Sequence, residues 1–193
     1  MNNTTPVVVL HGLGERVWTM SLFLWFLRWM GFSNVVTPHW PANTCELDVC
    51  LDSIDATLQQ QIKKKTPIFV IGNSMGGVMA MHLHTRGWKI KKAIAVAAPL
   101  NGAGIFRWLE DTLPDSLFAP FYQPGHAYLR RTEKMAIPPH PYRTLSFGPG
   151  FDGNVFEADV VLDNKNHTAF LLGTHFSLVM DPRVWLWIKQ EIS

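Results

Sequence analysis

Apolar residues along the chain fall into short solid runs separated by stretches in which they recur every three or four positions. The clearest runs are Val7 to Leu10, Val35 to Thr37, Ile68 to Ile71 and Ala93 to Ala97; Arg143 to Phe147 and His167 to Leu172 read as two further strands. A strand apolar at successive positions has both faces buried, the habit of parallel sheets covered by helices on each side. Helical spacing follows the first three runs, over Met20 to Met30, about Glu46 to Ile62, and Met75 to Thr85. A closing helix is predicted from about Pro182, where proline suits the first turn. Strands that alternate with crossover helices predict an α/β fold built on a parallel sheet.

Two stretches need separate reading. "MSLFLWFLRWM", Met20 to Met30, contains Arg28 and as a helix covers only about 17 Å against a hydrocarbon core of roughly 30 Å, so it does not span a membrane. Its Leu22, Trp25, Phe26 and Trp29, at i, i+3, i+4 and i+7, predict a face turned to the core; an interfacial anchor on lipid is the competing reading. From Gly102 to Tyr142 periodicity gives way to prolines interleaved with Phe106, Trp108, Phe118, Phe121, Tyr122 and Tyr128. Prolines exclude a central strand there, and so many aromatics need something to cover, which predicts a lid or a substrate pocket. With 193 residues, no internal repeat and no linker, residues 1–193 read as a single domain with an insertion at about 102–142.

Composition narrows the function classes. A net charge of +2, with lysines and arginines scattered apart from a few around positions 63–65 and 89–92, is too weak a basic bias for nucleic acid. The first residues lack a basic stretch and run straight into Val7, so no signal peptide is read and a cytoplasmic location is the default. Cys45 and Cys50 are the only cysteines; without a second ligand pair they predict no zinc site, and in a reducing compartment they are expected to stay free. No metal or cofactor is expected, and nothing signals an oligomeric state.

The chemistry gathers around Gly72-Asn73-Ser74-Met75-Gly76. This G-x-S-x-G run follows a predicted strand and opens a predicted helix, the context in which the serine occupies a tight, strained turn with its hydroxyl above the sheet. Acyl transfer also requires backbone N–H donors for the oxyanion of the tetrahedral intermediate. Met75, at the helix N-terminus, is one expected donor. Leu13 is the other, in "VVVLHGLGE", where Gly12 and Gly14 relax the loop after the first strand and His11 borders it.

A serine hydroxyl needs a base, and the base needs an acid to fix its tautomer. Among the eight histidines, His82 and His84 lie along the elbow helix and point away from its start. His39 could line a pocket beside Trp40, and His126 and His140 fall in the lid region. His175 follows the carboxyl end of the last strand, where catalytic groups of open α/β sheets gather, and is preferred to His167 at that strand's start. For the acid, Asp152 in the glycine-rich loop after Arg143 to Phe147 is preferred, with Asp159 and Asp163 as competitors.

These residues resemble the α/β-hydrolase superfamily, specifically its small bacterial-type lipases and esterases, over nearly the whole chain: "VVVLHGLG", "IGNSMGG", "AAPLNGAG" and "FDGNVF" followed by "GTHFSLVMDPRVW". The resemblance implies the minimal version of the fold, a six-stranded sheet in the order 2-1-3-4-5-6, with Asp152 and His175 in the places of acid and base. Asn73 departs from the pattern, because relatives more often carry His before the serine.

The expected activity is hydrolysis of carboxylic esters through an acyl-enzyme, on a small-molecule ester or lipid. His11, Trp40, Phe106, Phe118 and Phe121 are expected to bind substrate. Thioesterase, amidase and acyltransferase chemistry would use the same triad. A non-catalytic binding protein on the same fold and peripheral contact with lipid aggregates are further readings.

Overall fold

The computed structural model of the chain describes residues 4–42, 46–119, 124–147, 152, 155–175 and 177–193. In these residues six strands form one sheet: β1 (Val7–Leu10), β2 (Val35–Val36), β3 (Ile68–Asn73), β4 (Ile90–Val96), β5 (Tyr142–Phe147) and β6 (His167–Phe170). Their order is β2-β1-β3-β4-β5-β6, and every neighbouring pair is parallel. The parallel pairing follows the solid apolar runs, and the order is the one the family resemblance implied.

Alternation along each strand divides the core into two layers. Val8 and Leu10 of β1 and Ile68 and Val70 of β3 pack toward α2 (Leu47–Gln59) and α3 (Met75–His82). Val7, Val9, Phe69 and Ile71 pack on the opposite face, toward α1 (Ser21–Trp29) and the terminal helix Pro182–Ile192. All eight strand residues are buried, which is why no polar residue interrupts either run.

The register positions the loops that matter. Leu10 pairs with Gly72, so the chain leaves β1 at His11 beside the place where β3 delivers Ser74. Ser74 is fixed from the other side by its N–H, which donates to the Val96 carbonyl at the end of β4 over 2.8 Å.

Between β4 and β5 the aperiodic region contains α4 (Gly104–Thr112), α5 (Asp115–Phe118) and a 3-10 segment, Pro124–Arg130. Two short helices follow, α6 (Glu157–Val160) and α7 (Ser177–Met180), before the terminal helix, α8. Among the described residues no helix is long and apolar enough to cross a membrane.

Two expectations are corrected. In α1 the buried residues are Phe23, Leu24, Phe26 and Leu27, whereas Leu22, Trp25 and Trp29 are exposed; of the expected core face only Phe26 is inside. α1 is apolar round most of its circumference, so periodicity alone leaves its rotation open. Contacts of Phe23 and Phe26 with the Trp185 ring, at centroid separations of 6.4 and 5.2 Å, accompany the orientation it takes. The second correction concerns the thiols: Cys50, on the buried side of α2, is disulfide-bonded rather than free. Cys45 lies outside the described residues. Disulfides persist in oxidising surroundings, so the cysteines lend no support to a reducing compartment.

Candidate active site

Ser74 joins β3 to α3 with φ 49° and ψ −124°, a left-handed conformation that costs a non-glycine residue of order 1–3 kcal/mol and persists only where its surroundings impose it. Sequence explains how it is imposed. A Cβ on Gly72 would run into the Gly76 carbonyl, and one on Gly76 would run into the Leu10 carbonyl. Only bare backbone lets β3, the turn and α3 approach so closely. Met75 is the first residue of α3, where an N–H is left free of intrahelical bonding and the helix dipole favours negative charge. The loop after β1 closes on the serine: a Cβ built on Gly12 would sit 3.0 Å from Ser74 Cβ, and Leu13 shares a cavity with Ser74.

Asp152 and His175 come together although 23 residues separate them. His175 Nδ1 is 3.0 Å from Asp152 Oδ2, and the His175 backbone N–H donates to the Asp152 carbonyl over 3.2 Å. Val155 N–H donates to the other carboxylate oxygen over 2.8 Å, fixing the carboxylate's orientation. Both side chains are buried, and His175 lines the cavity that Ser74 lines.

The competitors are engaged elsewhere. Asp159 accepts from Gly104 N–H over 2.7 Å and pairs with Arg107 at 3.3 Å, anchoring α4. Asp163 accepts from Lys165 N–H, Asn166 and the Tyr142 hydroxyl. His167 lies against Thr144 and Ser146 hydroxyls at 2.8 and 3.1 Å on the sheet.

The shared cavity, about 320 Å³, is mainly apolar: Leu13, Pro99, Ala103, Ile105, Phe106, Leu109, Leu129 and Val155 surround Ser74 and His175, with Glu15 and His126 as the other polar members. Phe106 is part of this lining, its ring stacked on His126 at 5.6 Å. His11 and Trp40 do not line this cavity. They stack on each other at 5.3 Å, both buried, and with His39 they border a separate pocket beyond Glu15. Phe118 ends α5, and Phe121 lies outside the described residues.

Glu15 forms the wall between the two pockets. Its Oε2 accepts from Gly12 N–H over 2.5 Å, and its Oε1 accepts from Asn73 Nδ2 over 2.9 Å. Burial pushes its carboxyl above the ordinary range, against the opposing pull of those two hydrogen bonds and of His175. Burial, with help from Arg130, holds His126 below the ordinary imidazole value.

The sequence profile of the Alpha/beta hydrolase family matches residues 7–188. The chain belongs to the alpha/beta hydrolase family. Solved alpha/beta hydrolases share its architecture at low identity. The RedJ thioesterase of the prodiginine biosynthetic pathway in Streptomyces coelicolor is 16% identical, with 97% of this chain and 85% of that one covered at a TM-score of 0.66. A Bacillus licheniformis lipase in its mature form is 12% identical, over 98% and 92% of the two chains, also at 0.66. A methylesterase from Arabidopsis is 13% identical, over 97% and 99%, at 0.64. A search of curated proteins gave no significant sequence match.

In this alpha/beta hydrolase the polar residues that sequence reading passed over are Glu15 and, as part of the cavity, His126. Glu15 had a signal in two places: it closes the "HGLGE" loop, and the residue before the serine is an amide that, once buried, needs a partner. His126 had none beyond its place in the aromatic segment.

Proposed function

We infer that this hydrolase cleaves carboxylic esters through an acyl-enzyme. The observation that carries the reading is the opening of a buried Asp152–His175 pair onto the same apolar cavity as the strained Ser74. Ser74 Oγ attacks the ester carbonyl while His175 Nε2 takes its proton, and Asp152 holds the opposite ring nitrogen and so the productive tautomer. The tetrahedral oxyanion is held by the Leu13 and Met75 amides. Collapse breaks the bond to the alcohol oxygen, which leaves with the proton from His175. Water, deprotonated by His175, then attacks the acyl-Ser74, and the proton returns to Ser74 as the acid departs.

Ile105, Phe106 and Leu109 of α4 and Leu129 of the 3-10 segment give the cavity an apolar wall, suited to the hydrocarbon part of an ester. In this reading α4 and the 3-10 segment, within the insertion expected at about 102–142, act as a cap over the site.

Hydrolysis of p-nitrophenyl esters of graded chain length tests the reading. The parent protein turns over the medium-chain esters, and Ser74→Ala lowers kcat by about 10⁴-fold or more, as loss of a triad nucleophile does. Undiminished turnover in Ser74→Ala would reject the assignment. Thioesters are the second reading, favoured by the similarity to a thioesterase fold; kcat/KM for matched acyl thioesters and oxygen esters separates the two.

A further inference from the structure

Trp18, Leu22, Trp25 and Trp29 recur at intervals of four, three and four residues, so they fall along one side of the 3-10 turn Val17–Met20 and of α1. They are 71%, 56%, 61% and 68% exposed, and Trp25 and Trp29 stack on each other at 6.2 Å. The helix already fills the core with its other side, so this face is left to solvent. Scattered single apolar residues on a surface are ordinary, but three indoles and a leucine in one stripe mark an interaction site.

Charge selects the occupant. Arg16 and Arg28 flank the stripe, both exposed and neither in an ion pair among the described residues. From position 16 to position 45 the sequence contains no Asp or Glu at all. We propose that this face docks reversibly on an anionic phospholipid surface, with the indoles and Leu22 entering the boundary between headgroups and acyl chains and Arg16 and Arg28 meeting lipid phosphates. Indole rings suit that boundary because they are apolar in body and carry one N–H donor. α1 is too short to insert across a bilayer, so it lies in the plane of the surface. A second copy of the chain fits less well. A two-fold contact through the same stripe would bring unpaired arginines of the two copies together. Docking also has a consequence for access: Arg16 directly follows Glu15, which lines the cavity of Ser74, so the docked face holds the cavity's oxyanion loop close to the lipid.

Sedimentation of the full chain with vesicles tests this, using phosphatidylcholine mixed with phosphatidylglycerol against phosphatidylcholine alone, with tryptophan emission recorded on each. The parent partitions roughly tenfold or more better onto the mixed vesicles, its emission shifts to the blue, and added salt weakens the binding. The double variant Trp25→Ser/Trp29→Ser, with circular dichroism and melting like the parent, loses about tenfold or more of that partitioning. Ser74→Ala binds as the parent does, because docking does not depend on the chemistry assigned to Ser74. Three results overturn the proposal: a parent indifferent to mixed vesicles, a folded double variant that binds like the parent, or concentration-dependent self-association that the double variant abolishes while vesicle binding is absent.

Discussion

Asn73 Nδ2 donates to Glu15 Oε1 over 2.9 Å, joining residues 58 positions apart in sequence. Because Glu15 Oε2 also accepts from Gly12 N–H, one carboxylate ties the loop after β1 to the turn that bears Ser74. Asn73 is fully buried, and its Oδ1 has no partner among the described residues, so the amide is committed to this one bridge. The relationship also accounts for the amide before the serine.

The bridge predicts a kinetic signature. Glu15→Ala leaves the buried Gly12 and Asn73 donors without their acceptor, a loss worth about 1–3 kcal/mol each in favourable cases. Expressed in the positioning of the loop after β1 against Ser74, this lowers kcat about 10- to 100-fold with little change in KM. Glu15→Gln keeps an acceptor for Gly12 and offers an amide donor to Asn73 Oδ1 once that side chain turns over, so most of kcat returns. Steady-state kinetics on a p-nitrophenyl ester decide; a Glu15→Ala enzyme with parental kcat would remove Glu15 from the positioning of the site.

Acid should loosen the fold through its histidines. Burial, reinforced by His84 and Arg131, lowers His82 to about 4 from 6.5; burial also lowers His11, His140 and His167. An imidazole kept neutral by folding binds its proton more readily when unfolded, so its stabilising effect is complete above pH 6.5 and is lost as pH falls toward 4. His82 alone is expected to cost about 2 kcal/mol across that window, after discounting for its partial exposure. Denaturant melts at stepped pH should show the parent weakening from pH 6.5 to 4 and a His82→Gln variant weakening less. Equal slopes for the two proteins would contradict the burial assigned to His82.

Glycine positions offer a contrast between crowding and strain. Gly76→Ala drives a methyl into the Leu10 carbonyl and should cost about 3 kcal/mol or more, or prevent folding outright. Gly14, at φ 72°, has open space where a Cβ would go, so Gly14→Ala bears only the left-handed backbone penalty of about 1–2 kcal/mol. Thermal unfolding of the two variants gives the order; a Gly76→Ala protein more stable than Gly14→Ala would overturn the close approach at the elbow.

Strands were the most legible part of the sequence because β1 and the Ile68–Ile71 part of β3 are buried on both faces and contain no polar residue. β4 is longer than its apolar run suggested. It begins at Ile90, and Lys91 and Lys92 interrupt the hydrophobic signal while keeping strand geometry. Lys92 pairs with Glu191 at 3.1 Å, and the Lys91 ammonium sits 4.7 Å from the Phe69 ring centre. β6 is shorter than expected, ending at Phe170, and Leu171 and Leu172 turn out to solvent; a run of apolar residues does not reveal where pairing stops.

The elbow was legible because its glycines answer a local steric demand. The Asp152–His175 pairing was legible as a tendency of strand ends and through the family resemblance, while the bonding of Asp159 to α4 and of His167 to the sheet had no signal in the sequence. The orientation of α1 was hidden for the opposite reason. Apolar residues on both sides of a helix make two faces plausible, and Phe23 and Leu27 occupy the inner one while the tryptophans stay outside. Glu15 escaped because a lone carboxylate after a loop has no periodicity, and its meaning appears only when Asn73 comes within bonding distance.

Labelling with a fluorophosphonate, followed by mass mapping of the modified peptide, tests the central claim most directly, since it reports the nucleophile and its activation together and requires no knowledge of the substrate. The account predicts one adduct on the peptide containing Ser74, formed rapidly in the parent and lost or greatly slowed in His175→Ala. An adduct on a different residue, or a folded parent protein that takes up no label, would contradict it.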